Sequence, residues 1–137
     1  MALRTKLVLV VDETLPMAHA VNAAMVTGLA LGGRLPHLLA ADGKDASGGV
    51  HAGLNPNPVP VLTAGSADLR ALAEAARADD ELTVVGFNEV ARRSRDYAAY
   101  LDALALTPAE EVDYVAVAVF GPRNRVNPLT KRLPLLR

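Results

Sequence analysis

Two valine-rich segments, one near each end of the chain, constrain its fold more than any other feature. Residues 6–11 read KLVLVV and residues 113–120 read DYVAVAVF. Runs rich in valine favour β-strands, and a strand that lacks polar alternation is covered on both of its faces. We therefore predict that the two segments are central strands of one sheet, with helices packed on both sides.

The sequence between these segments predicts helices that alternate with shorter strands. Pro16 suits the first turn of a helix that ends near Gly32–Gly33, because paired glycines allow a left-handed termination. Residues 59–63 follow several prolines, which favours a strand at the sheet edge. Residues 66–80 have the apolar spacing of an amphipathic helix, and residues 82–87 form a further apolar strand.

The remaining segments complete the predicted fold. Turn residues mark 35–57 as an excursion or hairpin, and helical spacing predicts one helix from about Ser94 to Ala105 and a last helix to about Arg132. Alternation on the last strand predicts two faces, which are Val115, Val117 and Val119 on one side and Tyr114, Ala116, Ala118 and Phe120 on the other. A single α/β domain over residues 1–137 follows, with a mixed, mainly parallel sheet of about four strands and helices on both faces.

Composition limits the setting in which the protein works. The chain has 137 residues, enough for one domain, and it has no cysteine. Without cysteine there is neither a disulfide framework nor a thiolate metal site, which favours the cytoplasm. Residues 14–33 carry no Asp, Glu, Lys or Arg, but Pro16, His19 and Asn22 interrupt them, so a buried helix is expected and no contact with a membrane.

Charge is distributed unevenly along the chain. Residues 1–121 hold nine Lys and Arg against fifteen Asp and Glu, a net of −6, whereas residues 122–137 hold five Lys and Arg and no acid, a net of +5. The basic tail is consistent with a patch for an anionic partner, but basic side chains near the C-terminal end of a helix also complement its dipole, and we favour this second interpretation. Nucleic acids require several cationic contacts to phosphates, so the acidic main part of the chain argues against a nucleic-acid partner.

Several motifs together resemble a known family. They are KLVLVV, the small-residue helix VNAAMVTGLA, the proline-led VPVLTAG, the helix ADLRALAEAA and the closing YVAVAVFGPRNRVNPLTKRL. This order is similar to the uncharacterised bacterial domain-of-unknown-function family two thousand, over most of the chain except residues 35–57 and 92–107. The resemblance implies a fold like that of the type-two peptidyl-tRNA hydrolases, a small mixed sheet with helices on both faces.

The hydrolase activity that the resemblance suggests is not matched residue by residue. The hydrolases open their first helix with lysines, a glutamine and a histidine, and the corresponding positions here are Pro16, His19, Val21, Met25 and Gly28. Their Asp-Ala-Gly-Arg-Thr loop corresponds to the segment from Glu89 to Arg93, which keeps a carboxylate and an arginine but not the glycine or threonine. A domain without hydrolase activity is therefore expected.

The best local candidate for a binding site follows the first strand. Asp12, Glu13 and Thr14 lie at its carboxyl end, where α/β sheets commonly bind ligands. His19 and Asn22 are three residues apart on the next helix and so are neighbours on its surface. These five residues are the predicted ligand site, although Thr14 as a helix cap and the two acids as partners of the helix dipole explain the same pattern.

Other chemistry finds less support in the sequence. Glu89 beside Arg92 and the imidazole of His19 are weak candidates for catalysis, and the three histidines have no spacing typical of a metal site. No nucleophile elbow, phosphate-binding loop or dinucleotide motif is present, so no cofactor or metal is expected. We predict a homodimeric domain that binds a small ligand or a partner. The alternatives are a divergent ester hydrolase and a structural, self-associating module.

Overall fold

The two valine-rich segments form adjacent central strands of a four-stranded sheet. In the computed structural model, which describes residues 3–137, they are β1 (Thr5–Asp12) and β6 (Tyr114–Pro122), and they pair antiparallel. The other elements, in chain order, are α1 (Met17–Arg34), β2 (Gly43–Lys44), β3 (Val50–His51), β4 (Val61–Ala64), α2 (Ser66–Arg77), β5 (Thr83–Asn88), α3 (Glu89–Arg93), α4 (Tyr97–Ala105), a 3₁₀ turn (Ala109–Glu111) and α5 (Arg123–Thr130).

The sheet has the strand order β4-β1-β6-β5. β4 pairs parallel with β1, and β5 pairs antiparallel with β6, so three strands run in one direction and β6 runs in the other. The predicted mixed, mainly parallel sheet is therefore confirmed. The proline-led strand β4 lies at the edge of this sheet, as expected, because proline cannot donate a ladder hydrogen bond.

Helices cover both faces of the sheet, as predicted. α1 packs over β5 and β6 on one face, and α2 and α5 pack on the other. The α2 face buries Val8, Val10, Val117, Val119 and Leu69, whereas the α1 face buries a smaller set that includes Leu9, Val11, Ala23 and Ala118. Because both faces of β1 and β6 are apolar, the hydrophobic effect fixes these two strands in the middle of the molecule.

The outer edge of β4 is paired by the end of the chain. The Thr63 N–H donates to the Pro134 carbonyl at 2.8 Å, and the Leu136 N–H donates to the Val61 carbonyl at 2.8 Å. Leu62 and Leu135 form an antiparallel bridge between these two bonds. An unpaired strand edge invites association with other chains, and here the C-terminal segment satisfies it over this stretch.

A β-bulge changes the faces predicted for β6. Phe87 pairs with Ala116, but the next residue, Asn88, pairs with Tyr114, so Val115 has no partner on β5. Val115 consequently lies on the α1 face beside Ala116, and Tyr114 lies on the α2 face with Val117. The predicted strict alternation was wrong for Tyr114 and Val115, because a bulge inserts one extra residue into the ladder.

Two predicted helix ends also differ from the structure. α1 continues through Gly32 and Gly33 to Arg34, and Gly48 is the only residue with positive φ in the described part of the chain. The expected left-handed termination was therefore wrong. The helix expected from Ser94 to Ala105 begins only at Tyr97, because the Asp96 carboxylate caps it by accepting from the Ala99 N–H at 2.8 Å.

Residues 42–53 form the predicted hairpin, with β2 and β3 as its arms. Asp45 Oδ1 accepts from the Ser47 and Gly49 N–H groups, both at 2.9 Å, and its Oδ2 lies 2.9 Å from His51 Nε2. Gly48 completes the turn with φ near +86°, a conformation that residues with a side chain disfavour.

In the described residues, no helix is long and apolar enough to cross a bilayer.

Candidate functional site

The predicted crevice after β1 exists, but it is built differently from the prediction. Asp12, Glu13 and Thr14 line a cleft of about 430 Å³ together with the start of α2, which contributes Gly65, Ser66, Ala67 and Asp68. We call it the carboxylate cleft. Asp12 Oδ1 accepts from both the N–H and the hydroxyl of Thr14 at 2.8 Å, which is an Asx turn. Thr14 does not cap α1, whose N-cap residue is Pro16.

The structure does not bring His19 and Asn22 into this cleft. Both residues lie on the first turns of α1 with exposed side chains, and neither lines the carboxylate cleft. The predicted set of five residues is thus divided between the cleft and the outer surface of α1. The histidines do not gather either, because the described residues contain no group of three or more His, Asp or Glu side chains close enough to hold a metal ion.

Glu89, the weak catalytic candidate, is held by two arginines. Its carboxylate accepts from Arg92 Nε at 2.9 Å and Nη2 at 3.0 Å, and from Arg93 Nε at 3.1 Å. The Arg92 hydrogen bond, with the positive charges of Arg92 and Arg93, lowers the pKa of Glu89. Such a carboxylate is ionised at neutral pH and already saturated with donors, so it is poorly suited to proton transfer.

This arrangement predicts the effect of Glu89→Gln on stability. A carboxyl group with a lowered folded-state pKa stabilises the fold above its unfolded pKa, and that contribution is lost as the pH falls through the folded value. At pH 7 we expect the variant to be less stable by up to about 1 kcal/mol. Below about pH 4.3, where the unfolded glutamate is protonated, the difference should shrink towards zero. Urea unfolding at pH 7 and pH 3 measures this; an equal difference at both values would contradict it.

A second cleft, which we call the arginine cleft, lies on the α2 face near the β-bulge. Its volume is about 260 Å³, and its lining residues come from α2, the β5–β6 ladder, α4 and the 3₁₀ turn. They are Arg70, Glu74, Arg77, Gly86, Asn88, Tyr100, Leu104, Ala109, Val112 and Tyr114. Two cationic side chains, one carboxylate and two phenols thus share one cavity with aliphatic walls.

The bulge and a glycine shape the floor of the arginine cleft. Because the bulge turns Tyr114 onto the α2 face, its ring lies across Gly86, where a Cβ atom would come within 2.5 Å of the ring. A larger residue at position 86 would displace the tyrosine. The Arg77 guanidinium lies 5.5 Å from the centre of the same ring, within the range of a cation–π contact. The floor therefore fixes the position of one cationic group.

Asn88 joins the two sides of the arginine cleft. This side chain is buried, and its Oδ1 caps α3 by accepting from the Ala91 N–H at 2.9 Å. Its Nδ2 points to the Tyr100 hydroxyl at 3.5 Å, which is a long hydrogen bond. The amide consequently places Tyr100 of α4 against the end of β5.

Arg70 carries the least satisfied polar group of the cleft. Its Nη2 donates to Asp113 Oδ1 at 2.9 Å and to the Val112 carbonyl at 3.3 Å. Its Nε is shielded from solvent and, among the described residues, has no hydrogen-bond acceptor. A buried donor on a charged group without an acceptor is costly. Because this atom is shielded, an oxygen atom of a ligand in the cleft would reach it after a rotation of the Arg70 guanidinium, and would then remove this cost.

The arginine cleft was not predicted from the sequence, although the spacing of some of its residues indicates part of it. Arg70 and Arg77 are seven residues apart, two helical turns, so they share a face of α2. Asn88 directly follows an apolar strand, which is a favoured place for functional side chains in α/β sheets. Nothing in the sequence marks the bulge that turns Tyr114 towards these residues.

Known proteins with the same fold include one solved structure, and one family model matches the sequence. The chain is similar to a solved protein of unknown function from Agrobacterium tumefaciens strain C58, with a TM-score of 0.88 and 18% sequence identity over 99% of this chain and 100% of that chain. No curated protein matches the sequence. A family model described as "Protein of unknown function (DUF2000)" matches residues 5–137, which is nearly the whole chain. The protein therefore belongs to the DUF2000 family.

Proposed function

We propose that the protein is a non-hydrolytic binding domain that holds a small organic anion in the arginine cleft. The single observation that carries this proposal is the shielded Nε–H of Arg70, which has no acceptor among the described residues. A carboxylate or phosphate oxygen is the acceptor that arginine binds most strongly. Arg77, which lines the same cavity, supplies a second positive charge.

The apolar walls indicate the rest of the ligand. Leu104, Val112 and the rings of Tyr100 and Tyr114 line the cavity beside the two arginines. A volume of about 260 Å³ suits a compact molecule with one ring or a short aliphatic part. A small carboxylic acid with such a group matches the walls and the one positive charge by which Arg70 and Arg77 exceed Glu74 in the lining.

The divergent hydrolase is the weaker alternative. Neither Glu89 nor His19 lines the arginine cleft, and Glu89 is occupied by its two arginine partners.

The predicted site of Asp12, Glu13 and Thr14 with His19 and Asn22 stays a prediction. Because its five residues are divided between the carboxylate cleft and the surface of α1, we favour the arginine cleft over this predicted site.

Substitution of Arg70 tests the proposed function. Benzoate serves as the probe because it combines a carboxylate with one ring, and benzyl alcohol is the uncharged control ligand. At ten times its Kd, benzoate should raise the free energy of unfolding of the wild type by about 1.4 kcal/mol, seen as a higher Tm. Arg70→Met keeps the aliphatic stem, and we expect it to abolish the shift. The matched control Arg132→Met removes one arginine outside the cleft and should keep it.

Three results would refute this proposal. The first is an equal Tm shift with benzoate and benzyl alcohol, which would show that charge is not recognised. The second is an undiminished shift in Arg70→Met, which would place the anion elsewhere. The third is a wild type whose Tm neither benzoate nor inorganic phosphate changes at 20 mM, which would show that the arginine cleft is not an anion site.

We also propose that the protein acts as a homodimer in the bacterial cytoplasm and that its fold is related to the type-two peptidyl-tRNA hydrolases. The order of its strands and helices supports the kinship, and the lack of cysteine supports the compartment. The dimer is supported by the outer face of α1, where Met17, Val21, Met25 and Leu29 are each more than half exposed. Apolar side chains in such number on one face are typical of an interface.

A further inference from the structure

One stripe along the outer face of α1, beside the exposed Leu29, has bulky residues in its first part and glycines in its last part. Met17, Val21 and Met25 project from its first two-thirds. Gly28 and Gly32 follow on the same face, and a Cβ atom at either glycine would meet no atom within 4 Å. Residues 3.6 apart repeat one helical turn, so all five positions lie along a single stripe. The stripe therefore carries projections at its N-terminal end and gaps at its C-terminal end.

We propose that two copies of the chain pair through α1, antiparallel about a two-fold axis between Ala24 and Met25. This arrangement places Met17 of one copy over Gly32 of the other and Val21 over Gly28. A two-fold interface uses the same patch on both copies, so each of these two contacts occurs twice, and Met25 lies beside its counterpart at the axis. The inference rests on the proposed self-association and specifies its geometry.

The groove next to the glycines extends the same surface. Gly28 and Gly32 line an apolar cavity of about 330 Å³ together with Leu39, Val59 and the sheet residues Leu9 and Val61. Its polar side chains are engaged, since the Thr27 hydroxyl donates to the Ala23 carbonyl at 2.8 Å and Asn55 bonds to Asn57. The two polar side chains of the groove thus already make hydrogen bonds within the chain, and methionine or valine side chains of a second copy match its apolar walls.

Charge and area also favour a second copy as the occupant. Residues 14–33 include no charged side chain, so two α1 helices approach without repulsion. The apolar side chains of the stripe, with Leu29, Leu39 and Val59, expose on the order of 600 Å², near the lower end of what each partner buries in a stable dimer. Each glycine leaves room for the Val21 or Met17 side chain that faces it, so the two helices can pack at an ordinary interaxial distance of about 8–10 Å.

Single-cysteine cross-linking tests the register directly, because the chain has no cysteine of its own. A disulfide requires two Cα atoms within about 7 Å, which the axis provides only near positions 24 and 25. Under mild oxidation, Met25→Cys should form a covalent dimer at least ten times faster than Leu106→Cys, which is exposed on the last turn before the 3₁₀ segment. Equal rates, or faster cross-linking of Leu29→Cys than of Met25→Cys, would overturn this geometry.

Filling a gap provides a second, independent test. A Cβ atom at Gly28 meets no neighbour in its own copy, so, at a concentration at which both proteins are monomeric, the Tm of Gly28→Leu should match or exceed that of the wild type. We expect its dissociation constant, measured by analytical ultracentrifugation, to rise at least tenfold. Val21→Glu should do the same, and Val50→Glu, on the exposed hairpin, should not. A dimer that tolerates both α1 variants would overturn this interface but not self-association, whereas a wild type that is monomeric at 200 μM would overturn both.

Discussion

Val117→Asp is expected to prevent stable folding. Val117 lies in β6, is fully buried and packs against the α2 face, while its backbone pairs with β1 on one side and β5 on the other. A carboxylate there would have no partner and no water, and an uncompensated buried charge costs more than about 4 kcal/mol. Because a domain of this kind is stable by only about 5–15 kcal/mol, most of its stability would be lost.

Circular dichroism and urea unfolding measure this effect. We expect the variant to show no cooperative transition at 37 °C, or one shifted to much lower urea. Val50→Asp is the matched control, since Val50 is 64% exposed on β3 and the same substitution there should change the free energy of unfolding by less than about 0.5 kcal/mol. Two variants of equal stability would show that β6 is not a buried central strand.

Leu69→Ala is expected to give the second-largest loss. Leu69 is the largest fully buried side chain on the α2 face and joins that helix to the sheet. Removing three carbon atoms loses their transfer free energy and leaves a cavity, which together cost about 2–5 kcal/mol. For a domain of this length the corresponding fall in Tm is about 6–20 °C.

Thermal unfolding of Leu69→Ala is compared with that of Leu106→Ala. Leu106 is 86% exposed, so its truncation should lower the Tm by no more than about 2 °C. A Tm within 2 °C of the wild type would contradict the packing of α2 described above.

The sequence could predict those parts of the fold that burial alone decides. β1 and β6 are apolar on both faces, and no arrangement other than a covered central position buries both faces. The edge position of β4 follows equally from its prolines. These features depend on residue type summed over several positions, which is why a single sequence is enough to identify them.

Features that depend on a single backbone conformation could not be predicted. Gly32 and Gly33 have the composition of a helix end, yet α1 passes through them, because glycine permits a left-handed termination without requiring one. The register shift that reverses Tyr114 and Val115 is set by hydrogen bonds between β5 and β6. Neither residue differs in type from its neighbours in a way that marks a bulge.

The candidate site was the least predictable part, for the same reason. Asp12, Glu13 and Thr14 were recognised because they follow a strand directly in sequence. The arginine cleft joins Arg70 to Tyr114, and the contact between them exists only once the sheet and α2 have formed. Arg70 and Tyr114 are far apart in the sequence, so the spacing of residues within a motif cannot show that they meet. The position of Arg70 and Arg77 on one face of α2 gave a partial signal.

Anion binding in the arginine cleft is tested most directly by an NMR titration that observes the Arg70 Nε–H group itself. In a ¹⁵N-labelled sample, its resonance is assigned by comparison with Arg70→Met and followed during a titration with benzoate. We expect this Nε–H signal to move furthest of all arginine side chains and to saturate, as an acceptor occupies the shielded donor. A Nε–H signal that stays in place while benzoate reaches 20 mM would contradict it.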